Sequence, residues 1–320
     1  DDAKNKQGLR IQNVPVRGTT KDIPKLVSRY GIREIIVAIP SLGTGRRMQE
    51  ILELCNQTHC HTRMLSEPTD TDQSAEESTP FIRELNISDF LSRDEVELDT
   101  DSIAGYLSGK VVMVTGGGGS IGSELCRQIV KRQPARLVVV DNGEANLHHI
   151  QTELKHEFGF KDLVPVLGRV QDKMMDRIFD RYRPQAVFHA AAHKHVPMME
   201  RNPWEAMFNN VLGSRNVMET ARRHGVDRFV LVSTDKAVRP TNVMGASKRV
   251  AELLLQAMPQ GRTRFMAVRF GNVLGSSGSV IPLFRRQIER GGPVTVTHPE
   301  MTRYFMSIPE AAQLILQAGA

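Results

Sequence analysis

Residues 110–125 read Lys110-Val111-Val112-Met113-Val114-Thr115-Gly116-Gly117-Gly118-Gly119-Ser120-Ile121-Gly122-Ser123-Glu124-Leu125. The run Val111 to Val114 is short and rich in β-branched residues, the pattern of a strand buried on both faces. Past the glycines, Ile121, Leu125 and Ile129 recur every four residues and mark one face of a helix. Gly116, Gly119 and Gly122 stand between strand and helix. The first permits a tight turn, the second lets backbone approach a pyrophosphate, and the third lets helix and strand pack closely. Ser120 and Ile121 open the helix, where free N–H groups and the dipole favour a phosphate.

A glycine spacing alone is a weak signal, because four consecutive glycines also suit a flexible turn. The residues that follow decide between the two. Arg136-Leu137-Val138-Val139-Val140-Asp141 is a second buried strand that ends in an acid, 25 residues after Gly116 (141 − 116). A carboxylate at about that place accepts the adenosine ribose hydroxyls of a dinucleotide. From residue 109 onward, strands are expected at 111–115, 136–140, 163–167, 186–190, 228–233 and 265–269. Helices are expected at 121–132, 144–156, 172–181, 203–223, 243–257 and 281–290. Such alternation predicts an α/β fold, a doubly wound parallel sheet with ligands at the carboxyl ends of its strands.

Working outward, residues 1–66 form a smaller α/β unit, with helices expected at 21–30 and 46–56 and strands at 34–39 and 63–65. It opens on Asp1-Asp2 with no first strand and no glycine turn, and so resembles the second half of a nucleotide-binding-like domain. Residues 67–108 are expected to be linker and lead-in, polar and Pro-containing at 67–77 and wrapping against the main domain over 81–107. Residues 109–320 are expected to form the main domain.

The 320 residues are 40% hydrophobic and 24% charged, ordinary for a soluble globular protein. No apolar run approaches the ~20 residues that cross a bilayer. There is no initiator Met and no signal peptide, so the sequence is expected to be a piece whose membrane contact lies in parts outside it. Cys55, Cys60 and Cys126 make no disulfide framework and suit a reducing cytoplasm. The run from Cys55 to His61 fits no zinc spacing, and no metal is expected. Residues 1–100 carry 13 Lys/Arg against 17 Asp/Glu, and the remainder 29 against 19, so net −4 precedes net +10. The basic part suits a nucleotide diphosphate. Nucleic acid is not expected, since aromatics are only 5% and no Lys/Arg run is interleaved with them.

Residues after each strand carry the candidate site. Asn142 follows Asp141, and Arg169 and Val170 follow the third strand. Ala190, Ala191 and Ala192 let a cofactor lie against backbone, with Lys194 beside them; His193 and His195 suit ligands or bases but also ordinary loop hydrogen bonds. Asn210, at a buried helix position, needs a partner and suits a loop-orienting role. The fifth strand ends in Thr234-Asp235-Lys236, a hydroxyl, a carboxyl and an amine in a row, and Met244 to Lys248 opens the next helix.

These stretches, with Ala190 to Glu200 and Arg269 to Pro282, resemble the extended short-chain dehydrogenase/reductase superfamily. Within it they are similar to the large bacterial UDP-N-acetylglucosamine 4,6-dehydratases and their CapD-like polysaccharide biosynthesis domain. The resemblance covers essentially all of 100–320 and implies a Rossmann-type sheet and bound NAD. It also implies a UDP-sugar substrate, a homo-oligomer, and a place on the cytoplasmic side of the bacterial inner membrane. The domain is then C-terminally incomplete after the run Leu314 to Leu316, and 1–66 is a partial accessory domain.

The superfamily places Tyr-x-x-x-Lys on this helix; here Met244 stands at the Tyr position and Lys248 keeps the Lys. A thioether cannot exchange a proton. The resemblance therefore implies that Thr234, Asp235 and Lys236 take over the chemistry, while Lys248 holds the nicotinamide ribose. It further implies that His195, Asn272, Ser279, Val280 and Arg303 meet the UDP-sugar, Asn272 and Arg303 at its diphosphate. The expected reaction gives the 4-keto-6-deoxy sugar nucleotide. An epimerase on the same scaffold, or an NAD-binding scaffold without activity, are the alternatives.

Overall fold

The computed structural model describes residues 1–39, 46–66, 81–84, 99–259, 261–276 and 278–320. The loop expected at 67–77 lies outside them. The chain divides into two units, Asp1–Glu95 and Val96–Ala320.

The second unit is built on six parallel strands. These are β1 (Val111–Thr115), β2 (Arg136–Asp141), β3 (Leu163–Leu167), β4 (Ala186–His189), β5 (Arg228–Thr234) and β6 (Arg264–Phe270). Their order across the sheet is β6-β5-β4-β1-β2-β3. That is the dinucleotide-fold order, with its switch point between β1 and β4. Alternate residues on one strand feed opposite faces. Val112, Val114, Leu137, Val139 and Phe188 join the core that the helices Thr100–Leu107, Ser120–Val130, Glu144–His156 and Ile308–Gly319 cover. Met113, Val138, Val140, Val187 and Leu231 face the other way, under Met174–Tyr182, Ser214–Arg223 and Val243–Gln256. Burial on both faces is why the inner strands β1, β2, β4 and β5 read as continuous apolar runs.

All six expected strands are present. The single helix expected over 203–223 is not. Pro203–Glu205 is a short turn of helix, Ala206–Gly213 is a π-helix, and only Ser214–Arg223 is regular α-helix. The wider turns leave both Asn209 and Asn210 buried, and side-chain hydrogen bonds satisfy them. Such π segments are rare and are found at functional sites more than elsewhere. Helices at Val196–Arg201 and Ile308–Gly319 were not expected from periodicity.

The first unit has its own core, Val37, Met48, Ile51, Leu52, Cys55 and Met64. Helices Ile23–Tyr30 and Arg46–Asn56 and strands Glu34–Val37 and His61–Ser66 fall where expected. The two strands pair in parallel. The expected linker and lead-in at 67–108 is divided differently. Phe81–Glu84 pairs antiparallel with His61–Ser66 and so completes the first unit's sheet. Thr100–Leu107 instead buries Ile103, Tyr106 and Leu107 in the second unit's core. A two-residue hairpin, Arg10–Ile11 with Val14–Pro15, also precedes the first helix.

Candidate active site

The glycine turn is built as its spacing implies. Gly116 has φ +70°, and a Cβ there would come within 2.6 Å of the Ala191 backbone nitrogen. A Cβ on Gly122 would overlap the Gly116 carbonyl oxygen, so helix and turn touch only because both are glycine. The helix Ser120–Val130 starts at Gly119 with no side-chain cap, and its N-terminal end faces the cleft side of the glycine turn, where the dipole favours an anion.

Asp141 ends β2 and is buried; its Oδ2 accepts from the Gly118 N–H and its Oδ1 from the Gly143 N–H, both at 2.8 Å. These bonds fix the carboxylate facing the turn and leave it lone pairs for ribose hydroxyls. One cleft brings together Gly116, Gly119, Asp141, Asn142, Arg169, Val170, Ala190, Ala191 and Ala192. Asn146, Gln171 and Asn209 line the same cleft and were not singled out from sequence. Ser120 and Ile121 are the first residues of the helix behind it.

Asn210, expected to orient a loop and counted among the cofactor contacts, is placed for the first of these. It is fully buried, donates from Nδ2 to the His193 carbonyl (3.0 Å) and Ser247 Oγ (3.0 Å), and accepts the His193 N–H at Oδ1 (2.8 Å). It therefore clamps the loop after β4 to the helix Val243–Gln256, while its neighbour Asn209 reaches the cleft. Lys194 and His195 are exposed, and Lys194 is not among the residues lining the cleft.

Across the switch point, Thr115 Oγ1 meets His189 Nδ1 at 2.7 Å and His189 Nε2 meets Ser214 Oγ at 2.9 Å. Burial and the Lys248 charge push this imidazole down to about 3, so it is neutral and ties β1 to β4. Burial also pushes the Lys248 ammonium down to about 8, with Glu252 opposing.

At the end of β5 the three expected catalytic residues are in contact. Thr234 Oγ1 donates to Asp235 Oδ1 at 3.0 Å. Lys236 Nζ donates to Asp235 Oδ1 at 3.0 Å and to Asn272 Oδ1 at 2.8 Å. Asn272, expected at the substrate diphosphate, thus holds Lys236 here. All four are partly buried, reachable by solvent or a ligand.

Met244 is 3% exposed and packs with Met199 and Ala206. The next residue, Gly245, lies so close to the Lys236 carbonyl that a Cβ would overlap it, which fixes the helix start against the Thr234–Asp235–Lys236 turn. Ser233 Oγ donates to Glu252 Oε1 (2.6 Å), and Glu252 also accepts from Arg269 and Arg249. Burial opposes that carboxylate's charge, but the Arg269, Ser233 and Arg249 hydrogen bonds bring it down to about 2. Glu252 carries no sequence motif; only the fold shows that it braces β5, β6 and the helix.

The remaining substrate candidates sit on later elements. His195 lies against Gly278, where a Cβ would be 2.5 Å from its Cε1. Ser279 and Val280 start the helix Val280–Glu289. Arg303 is exposed and donates to the Thr302 carbonyl (2.7 Å), not to any of Thr234, Asp235, Lys236 or Asn272. It is nonetheless near in the chain, because the Asn272 N–H donates to the Tyr304 carbonyl at 2.8 Å. Among the described residues no group of three or more His, Cys, Asp or Glu could hold a metal, and no helix is long and apolar enough to cross a membrane.

The chain is similar to known proteins over most of its length. CapD, the capsular polysaccharide biosynthesis protein of Staphylococcus aureus, is 50% identical over 325 residues, covering 100% of this chain and 54% of that protein. The chain thus spans about half the length of that relative. The structure of Pen from Bacillus thuringiensis superposes with TM-score 0.62 at 35% identity, covering 67% of this chain and 66% of its own. A UDP-glucose 4-epimerase from Thermus thermophilus, solved as a complex with NAD, gives TM-score 0.54 at 26% identity over 63% of this chain and 72% of its own. Residues 112–320 match the polysaccharide biosynthesis protein family, and the chain belongs to that family, within the extended short-chain dehydrogenase/reductase superfamily.

Proposed function

We propose that this chain carries the NAD-dependent catalytic domain of a sugar-nucleotide 4,6-dehydratase acting on UDP-N-acetylglucosamine. The glycine cradle, the uncapped helix N-terminus and the fixed Asp141 carboxylate fit a dinucleotide. When bound, NAD supplies reversible hydride storage between C4 and C6 of the sugar. Asp141 accepts the adenosine ribose hydroxyls, the helix N-terminus holds the pyrophosphate, and Lys248 holds the second ribose.

The observation that carries the reading is the Thr234–Asp235–Lys236 contact chain. With C4 oxidised, the C5–H is acidic, and the Lys236 amine is the base that takes that proton. Thr234 Oγ1 sits between the C4 hydroxyl and Asp235, so the C4 hydroxyl proton passes through it to Asp235 Oδ1. Asp235 then protonates the C6 hydroxyl, which leaves as water. Lys236 returns its proton to C5 as hydride reaches C6. The water released is therefore the C6 hydroxyl plus the original C4 hydroxyl proton, and both side chains end as they began.

A 4-epimerase needs no acid at C6 and no base at C5, so the adjoining Asp235 and Lys236 favour dehydration over epimerisation. Incubation with UDP-N-acetylglucosamine and mass spectrometry tests this. Dehydration gives a product lighter by one water; epimerisation leaves the mass unchanged, and an inactive scaffold leaves the substrate unchanged.

A further inference from the structure

β5 and β6 run in parallel register, with Thr234 beside Phe270 at their carboxyl ends. Two residues further on, Lys236 Nζ meets Asn272 Oδ1 at 2.8 Å, with the same 36-residue offset as that last pair. The sheet register thus carries an amide to the place opposite the amine. Backbone contacts fix the amide there. The short strand Asn272–Val273 pairs in parallel with Phe305–Met306, and the Asn272 N–H donates to the Tyr304 carbonyl at 2.8 Å. Only glycine at position 271 permits this approach, since a Cβ there would come within 2.6 Å of the same carbonyl oxygen. Val273 and Met306 are buried in one cluster with Ala311.

Lys236 needs such an anchor. Its stem is flexible and its side chain is 28% exposed, so one ion pair with Asp235 would hold it only weakly. An ammonium has only donors, which selects the orientation of the amide that presents Oδ1. A lysine acting as base carries two N–H bonds and one lone pair. Asp235 Oδ1 at 3.0 Å and Asn272 Oδ1 take the two hydrogens. The lone pair is then left the one remaining tetrahedral direction. With Asp235 as the single acceptor, the second hydrogen and the lone pair could exchange places.

We propose that Asn272 is a positioning residue for the dehydration, and that it aims the Lys236 lone pair at the C5–H of the sugar. The proposal rests on the reading of Lys236 as the base at C5. The proton passes from C5 to Nζ, and the electron pair of the C5–H bond stays on the sugar, spread onto the C4 carbonyl.

The test is turnover of UDP-N-acetylglucosamine, with and without deuterium at C5, by the wild type, Asn272→Leu and Asn272→Ala. Both variants lose the acceptor and keep every backbone bond of the short strand. Their kcat falls by about tenfold or more while KM and NAD affinity stay within about threefold, because the loss lies in aim and not in binding. Cleavage of the C5–H bond then limits the reaction, so deuterium at C5 slows the variants more than it slows the wild type. A role in binding the substrate would raise KM instead, and a general loosening of the fold would leave the isotope effect where it was. Unchanged kcat, a loss confined to KM, or a C5 isotope effect no larger than the wild type's overturns the proposal and leaves the dehydratase reading intact. A wild type that releases no water from this substrate overturns both.

Discussion

Lys236 Nζ touches both Asp235 and Asn272, so each catalytic side chain is positioned by another. Lys236→Ala and Asp235→Asn are each expected to lower turnover by about 10²-fold or more, because a general acid or base contributes roughly 10²–10⁴. NAD affinity, measured by titration, stays near wild type in both. Near wild-type turnover in either variant removes that residue from its role. Met244 is the residue where this chain departs furthest from its superfamily, and the structure puts it in a closed pocket with Met199 and Ala206. Met244→Leu is close to volume-conserving and is expected to keep most activity. Met244→Tyr adds bulk to that pocket and is expected to give no gain in turnover. A rise of about tenfold with Tyr, roughly 1.4 kcal/mol of barrier, would mean a missing base limits the reaction. Asp141 is held in place by two N–H groups in the cleft proposed for the cofactor, so NAD is expected to bind tighter than NADP by about tenfold or more. A titration in which NADP binds as tightly contradicts that.

At the scale of elements, β5 and its turn are held by Glu252, whose carboxylate takes bonds from Ser233, Arg269 and Arg249. Its proton is bound more weakly in the folded state than in the unfolded chain. The stabilisation is thus complete above about pH 4.5 and is lost as pH falls toward about 2. That shift corresponds to roughly 3 kcal/mol for this buried group. Glu252→Gln is expected to lower stability to urea by about that much at neutral pH, with the difference from wild type narrowing as pH falls through 4. A difference that stays constant with pH would contradict the network. The strands of this domain were legible in the sequence because a strand buried on both faces reads as an uninterrupted apolar run, as Val111 to Val114 and Leu137 to Val140 do. The π-helix was not, since Ala206, Val211 and Gly213 also fit a helix of ordinary period.

At the scale of the molecule, the cleft and the Thr234–Asp235–Lys236 turn were legible because they lie just after strands, where open α/β sheets bind ligands. The bracing residues were not. Thr115 and His189 are 74 positions apart, Gln171 and Asn209 are 38 apart, and Ser233 and Glu252 are 19 apart. Only the strand order brings such pairs together, and no local pattern marks them. The segment after residue 80 was misassigned for the same reason: Phe81–Glu84 has no signal beyond its partner strand. Because Val96–Ala320 has its own core, it is expected to fold alone and to bind NAD within about threefold of the whole chain. A domain that is unfolded by circular dichroism, or that has lost NAD binding, contradicts this.

The central claim is that Asp235 carries the C4 hydroxyl proton to the departing C6 hydroxyl. Its most direct test is the mass of the product formed from UDP-N-acetylglucosamine by the wild type and by Asp235→Asn. The wild type is expected to give a sugar nucleotide lighter by one water, formed about 10²-fold more slowly or not at all by the variant. A wild-type product of unchanged mass, or an Asp235→Asn protein that releases water at the wild-type rate, would contradict it.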